Sequence, residues 1–194
     1  MAGGSEGNGL MPGRRALLAG LAGWPAACIA APPPAFRFAL QDGAGKVVTQ
    51  ARFRGRYLLV VFGYTKCTDR CPTTLTHLAR ALEMADPRNR IFDAVFITVD
   101  PRHDRPKAAA HYASLFSPRI EGLGGSKRQV NEAIAAFHVY VAWPNGPNGQ
   151  PTHGGLIYLL SPSGQLATVL PDGLSADALA SALRRYPVPK PGRE

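Results

Sequence analysis

Cysteine is scarce in this chain: three thiols in 194 residues, at Cys28, Cys67 and Cys71. So few exclude a small scaffold stapled by several disulfides. Acidic residues are also few, 13 against 22 Lys and Arg, which leaves a net charge of +9. The excess cations are scattered and form no stripe interleaved with aromatics, so no nucleic-acid partner is expected. There is no internal repeat, which excludes a solenoid. Beyond residue 34 no apolar run approaches the ~20 residues of a membrane span. Hydrophobic residues are 45% and charged ones 18%, a balance that excludes a disordered chain.

What is present divides into three stretches. Arg14 and Arg15 precede the apolar segment Ala16–Ala31, which Gly20, Gly23 and Pro25 interrupt. A basic start, a short apolar body and small residues at its end are the layout of an export signal. Cys28 follows Pro25-Ala26-Ala27 and partly resembles a lipoprotein processing site, although Pro25 stands where an aliphatic residue is usual. The expected organisation is an export signal or anchor with a Pro32-Pro33-Pro34 spacer over 1–34, one domain over 35–187, and a flexible tail over 188–194. The expected location is extracytoplasmic, in a periplasm-like oxidising space, with attachment to the inner membrane as the alternative to signal cleavage.

Within the domain, Phe36–Leu40 and Val47–Thr49 flank the turn at Asp42-Gly43 and predict an N-terminal hairpin. Tyr57–Phe62 is a continuous apolar run, as a strand covered on both faces requires. Pro72–Ala85 has helical periodicity with Leu75, Leu78, Ala79 and Leu82 on one stripe. Phe92–Val99 predicts a second buried strand. Asp104 is a candidate N-cap for a helix that starts at Pro106 and runs to about Leu115. Gly122–Gly125 reads as a loop, and Ser126 with Gln129 as a capping box that opens a helix to Phe137. A strand over Val139–Trp143 and a turn-rich loop over 144–151 follow. Then come a strand at Leu156–Leu160, a turn at Ser161–Gly164, a strand at Gln165–Leu170 and a helix capped by Ser175. A hairpin, then β-α-β-α with a further helix, then β-β-α is a thioredoxin-like arrangement: an α/β fold with a central mixed sheet flanked by helices and an added N-terminal β-hairpin.

The chemistry concentrates in Gly63-Tyr64-Thr65-Lys66-Cys67-Thr68-Asp69-Arg70-Cys71-Pro72. Two thiols at i and i+4 beside a helix start lie about one turn apart, so they can face one point. Such a pair can chelate a soft metal or close to a disulfide and reopen. The helix N-terminus, Lys66 and Arg70 favour thiolate, while Asp69 opposes it or caps the helix. A dithiolate alone is an incomplete copper or zinc site, and His153 is the candidate third donor. It stands in Pro151-Thr152-His153-Gly154-Gly155, just ahead of a core strand. Asp100, where the second buried strand ends, and Asp104 are candidates to cap or brace the loop that faces the site. His77, His103, His111 and His138 read as helix, loop or strand-edge residues.

Three motifs in this order resemble the Sco/SenC family of copper chaperones: Gly63-Tyr64-Thr65-x-Cys67-x-Asp69-x-Cys71-Pro72-Thr73-Thr74-Leu75, Val99-Asp100-Pro101-x-x-Asp104-x-Pro106, and His153 ahead of Tyr158-Leu159-Leu160-x-Pro162-x-Gly164. The resemblance covers about residues 36–186. It implies one copper ion per chain, Cu(I) or Cu(II), held by Cys67, Cys71 and His153. It also implies delivery to the dinuclear copper centre of cytochrome c oxidase, with the copper-receiving oxidase subunit and a thiol reductant or another copper chaperone as partners. Lys66 stands where that family often has His, and Thr68 where it often has Pro. The same cysteine pair would serve an extracytoplasmic thiol:disulfide oxidoreductase, for which His153 is not required. A thiol peroxidase is a third reading of Thr68-x-x-Cys71-Pro72-Thr73, against which Tyr64 occupies a position where that motif has Pro.

Overall fold

In the computed structural model, residues 36–144 and 149–189 are described. Residues 1–34 with Cys28, where an export signal or anchor is expected, and most of the expected tail 188–194 lie outside the described residues.

Two short strands, β1 (Ala39–Gln41) and β2 (Val47–Thr49), form the N-terminal hairpin. The expected first strand is shorter than predicted, because Phe36 takes a positive φ of 62° and its amide donates to the Ala136 carbonyl at 3.0 Å. After a 3-10 turn at Gln50–Phe53 come β3 (Tyr57–Gly63), α1 (Arg70–Ala85), β4 (Phe92–Thr98), α2 (Pro106–Ser114) and β5 (Ile120–Leu123). The chain continues through α3 (Lys127–Ala136), β6 (Val141–Ala142), β7 (Thr152–His153), β8 (Leu156–Leu160), β9 (Leu166–Pro171) and α4 (Ala176–Leu183). The central sheet has the order β5-β4-β3-β8-β9. Strands β3, β4 and β5 are parallel, and β8 and β9 run antiparallel to their neighbours. This is the thioredoxin-like architecture expected.

The sheet is covered on both faces, as the apolar run in β3 demands. Leu58, Val60 and Phe62 join Val130, Ala133 and Phe137 of the α3 side. Leu59 and Val61 point the other way, into Leu75, Leu78 and Leu82 of α1 and Leu179 and Leu183 of α4. That alternation is the two-residue period of a strand. The capping box of α3 forms with both halves present, and Ser175 caps α4 by accepting from the Ala178 amide.

Four expectations need correction. Gly122 and Leu123 belong to an edge strand, β5, not a loop. A Cβ at Gly122 would stand 2.0 Å from the Ala109 carbonyl oxygen, so the glycine marks a place where α2 lies on the sheet backbone. The strand expected over Val139–Trp143 is reduced to Val141–Ala142, paired with β7. Asp69 at the start of α1 makes no side-chain cap, and α1 begins at Arg70, ahead of Pro72. Asp104 does not cap α2; Arg105 holds that position without a side-chain bond.

Asp86 fixes the return from α1 to β4. It is 2% exposed and accepts from the amides of Arg90, Ile91 and Phe92 at 2.9, 2.9 and 3.0 Å. Arg119 closes the other side at 3.1 Å and also donates to the Leu82 and Asp86 carbonyls. Burial alone would raise the Asp86 carboxyl; the three amides and Arg119 outweigh it and hold it below the ordinary carboxylate value. Removing the carboxylate strands those donors, so Asp86→Ala is expected to cost about 3 kcal/mol in chemical denaturation at neutral pH. The sign of the pH dependence follows from the lowered folded-state value. Stability from Asp86 is present above the ordinary aspartate pKa of ~3.9 and is lost as pH falls through the folded value. The gap between wild type and Asp86→Ala therefore narrows in acid, and a constant gap down to strongly acidic pH would contradict the assignment.

Candidate metal centre

The two cysteines sit where β3 gives way to α1, but in different environments. Cys67 lies in the turn before the helix and is half-buried, whereas Cys71 is in the first turn of α1 and 3% exposed. Both are free thiols. The Cys71 amide donates to the Cys67 sulfur at 3.3 Å. Burial alone would raise the Cys67 thiol; hydrogen bonds from the Cys71 amide and thiol and from the amides of Asp69 and Arg70 hold it below its ordinary value. Cys71 is pushed up to about 12, chiefly by burial; a hydrogen bond from the Tyr64 amide opposes this, while Cys67 and the Asp172 carboxylate add to it. The expectation that the helix start activates both thiols thus holds for Cys67 only. At Cys71, desolvation exceeds the dipole.

His153 arrives from the far end of the chain. Its Nε2 lies 3.7 Å from the Cys71 sulfur, 82 positions away in sequence, and its Nδ1 donates to the Gly154 carbonyl at 3.0 Å. That bond assigns the proton to Nδ1 and leaves the Nε2 lone pair facing the thiol, the form in which imidazole binds a metal. β7 carries His153, and its partner in the antiparallel register is Val141. The Tyr64 ring stands edge-to-face to the imidazole, centroids 6.1 Å apart and planes at 90°. The Tyr64 hydroxyl donates to Gln150 Oε1 at 3.3 Å, and burial followed by the charge of Cys67 raises the phenol to about 12. Tyr64 is therefore a neutral wall of the site.

Among the described residues no three His, Cys, Asp or Glu side chains already enclose one point. The Cys71–His153 approach is already in place, and rotation of the half-exposed Cys67 side chain would complete a two-sulfur, one-nitrogen set. Soft thiolates with one imidazole suit Cu(I) in three-coordination, or Cu(II) with an added oxygen. The cleft beside Cys71, His153, Arg70 and Asp172 holds about 10 Å³. That is room for one water and not for an organic substrate.

Asp104, read from the sequence as a cap or a brace, is 1% exposed and accepts from the Thr65 amide at 2.8 Å, the Thr65 hydroxyl, and the Thr98 hydroxyl at 2.7 Å. It fastens the cysteine turn to the end of β4. Sequence reasoning missed two residues that build this site. Gly63 is one: a Cβ there would fall 2.7 Å from Phe96 Cε2 and 2.9 Å from the Cys71 sulfur. Asp172 is the other. It faces Arg70 at 3.7 Å, and a Cβ on Gly155 would stand 2.5 Å from its carboxylate oxygens. The local signal at 171–173 was only a turn.

Asp100, the expected brace, is buried and accepts from His103 Nδ1 at 2.7 Å; its other oxygen has no hydrogen-bond partner among the described residues. Its charge is among the causes that raise the Tyr64 phenol. His77 donates from Nδ1 to the Leu174 carbonyl at 2.9 Å and ties α1 to the approach of α4; His111 and His138 are exposed.

The thiol asymmetry has a direct readout. With iodoacetamide at neutral pH, Cys67 is expected to react at least about 100-fold faster than Cys71, because the thiolate is the nucleophile and only Cys67 is both accessible and acidified. Peptide mapping by mass spectrometry separates both from Cys28, and equal rates would contradict the assignment.

A thioredoxin-like sheet that presents a dithiol at the first core helix and an imidazole from the loop ahead of the antiparallel hairpin defines a class: small thiol-based proteins that exchange disulfides or carry a soft metal. Comparison with known proteins narrows the class. The SCO1/SenC family profile matches residues 30–187, and the chain belongs to that family. It is 36% identical over 156 residues to the human protein named SCO2 homolog, mitochondrial, covering 77% of this chain and 58% of that one. The fission yeast protein sco1 is 32% identical over 157 residues, covering 77% and 59%. This chain thus spans about three-fifths of the length of these relatives. Among solved structures, Bradyrhizobium japonicum ScoI with copper bound is 32% identical with a TM-score of 0.69, covering 79% of this chain and 99% of that one. Arabidopsis thaliana ScoI with copper bound is 27% identical with a TM-score of 0.73, covering 79% and 97%.

Proposed function

We propose that this chain is a copper metallochaperone. It binds one copper ion through the thiolates of Cys67 and Cys71 and Nε2 of His153, and delivers it to the dinuclear copper centre of cytochrome c oxidase. The observation that carries the reading is the 3.7 Å approach of His153 Nε2 to the Cys71 sulfur, with Nδ1 already committed to a carbonyl. Dithiol exchange has no need of that imidazole. Copper-bound structures of relatives with the same fold support the choice of metal. Copper displaces the proton from Cys71, so the raised thiol value is a barrier that the metal itself overcomes. A cysteine pair on the receiving oxidase subunit then captures the ion by stepwise ligand exchange. Another copper chaperone or a thiol reductant supplies the loaded or reduced state. Residues 1–34 serve as an export signal or anchor, which places the domain in the periplasm or an equivalent compartment, with tethering to the inner membrane as one outcome of that segment.

Anaerobic titration of the reduced chain with Cu(I) tests the reading. One tightly held copper per chain, with sulfur and nitrogen scatterers in the X-ray absorption spectrum, is expected. Sulfur-only ligation, or no tight uptake, would remove His153 or the whole assignment.

A second reading rests on the thiol asymmetry. An exposed, acidified Cys67 beside a buried Cys71 is the arrangement of a dithiol reductant. The Cys67 thiolate attacks a target disulfide, and one target sulfur leaves as a thiolate that takes up a proton. Cys71 then loses its proton and displaces the second target sulfur, leaving a Cys67–Cys71 disulfide and a reduced target. His153→Ala separates the two roles, since exchange survives it and copper binding does not.

A further inference from the structure

A second feature lies outside the sulfur site. A cleft of about 540 Å³ opens between the end of β4, α3 and β6. Val99, Ile134, Val141 and Trp143 give it an apolar floor, Lys127 supplies a cation at its edge, and among the described residues no carboxylate lines it. We infer that this cleft is a docking site for an acidic polypeptide segment that inserts an apolar side chain beside Lys127.

Three observations converge on that occupant. First, the charge is placed against local stability. Lys127 and Arg128 occupy the first turn of α3, which contains no acidic residue. A helix N-terminus prefers negative charge, so two cations there carry a local cost that folding does not explain. Arg128 is matched by Glu132 one turn on at 3.5 Å, whereas Lys127 makes no ion pair with a described residue. The helix dipole and Lys127 therefore present positive potential to the same end of the cleft.

Second, the floor is apolar and the cations are exposed. A free inorganic anion would find no buried donors. A flat anionic bilayer would meet the cations without filling the concavity. The volume suits one or two apolar side chains with the adjoining backbone, and an acidic flank complements the rim.

Third, the cleft touches the backbone neighbours of both strands that lead to the candidate ligands. Val141 is the register partner of His153, and the Val99 amide donates to the Gly63 carbonyl at 2.7 Å, just ahead of Tyr64 and the cysteine turn. An occupant resting on Val99 and Val141 is one residue pair from each side of the sulfur–imidazole site. A role in guiding metal transfer rests on the copper reading; the docking itself does not.

The test uses the full reduced, copper-free chain, labelled with ¹⁵N, and the capped peptide Glu-Asp-Phe-Leu-Asp-Glu. Expected are saturable amide shifts at Val99, Val141 and His153 and a shift of the Trp143 indole. Affinity should fall about tenfold in Lys127→Glu and in Asn131→Glu, and should weaken with added salt. Both positions are exposed, and an acid in the first turn of α3 favours the helix, so folding is retained. A peptide with lysines in place of the acids should not bind. Shifts that spread over other basic surface, or affinity unchanged in both variants, would overturn the inference. So would perturbation of these resonances by phosphatidylglycerol vesicles with none by the peptide. Because no copper is present, failure here leaves the copper titration unaffected, and the reverse also holds.

Discussion

Cys71→Ser is expected to lower copper affinity by about 1000-fold or more, roughly 4 kcal/mol, while the domain remains folded. The substitution exchanges a soft thiolate for a hydroxyl that does not ionise at neutral pH. Cys71 is also the sulfur that approaches His153 Nε2 to 3.7 Å, so its loss breaks that donor pair. Cys67→Ser should produce a loss of the same order. His153→Ala should weaken copper about 100-fold or more, since two thiolates still hold Cu(I) but without the nitrogen donor. Competition with a chelator of known copper affinity measures all three. Wild-type affinity in both serine variants would end the metal assignment. Wild-type affinity in His153→Ala alone would leave a dithiolate copper site without the imidazole.

The second large effect is expected at a residue with no side chain. In Gly63→Ala the new methyl would overlap both Phe96 and the Cys71 sulfur. Phe96 is fully buried in the face packed by α1 and α4, so neither neighbour can yield without moving the core. Overpacking of this kind costs about 1–3 kcal/mol. Relief through the first turn of α1 would shift the Cys71 sulfur relative to His153. Gly63→Ala should therefore lose stability in thermal unfolding and lose copper affinity together. Reduced stability with unchanged affinity would show that Phe96, and not the sulfur, absorbs the strain.

The framework was legible wherever a local pattern carried it. The uninterrupted apolar run of β3 announced a strand buried on both faces, and Ser126 with Gln129 announced the start of α3. The turn at Ser161–Gly164 closes with the Gly164 amide on the Ser161 carbonyl at 2.8 Å and a positive φ of 81° at the glycine. The meeting of Cys71 with His153 was accessible only through strand order, which brings the entrance of β8 beside the first core helix.

What stayed hidden depends on contacts across the fold. Gly122 resembled a loop residue because a glycine admitted for the close approach of α2 looks, in sequence, like one admitted for a turn. Asp104 was legible as a cap or brace, but its partners, Thr65 and Thr98, lie on two other segments. Asp172 reaches Cys71 from beyond β9, a proximity that no sequence period encodes. Which thiol is acidic was likewise invisible, since it turns on burial and not on the shared helix start.

The moorings of the three donors are unequal. The cysteine turn is bolted to the end of β4 through Asp104, and Cys71 is built into a sixteen-residue helix. His153 hangs from a ladder of two rungs, Val141–His153 and Ala142–Thr152. On the copper reading this sets an order of departure: the imidazole would be the latch that swings away first, and the two sulfurs would keep the ion until a recipient's own ligands reach it.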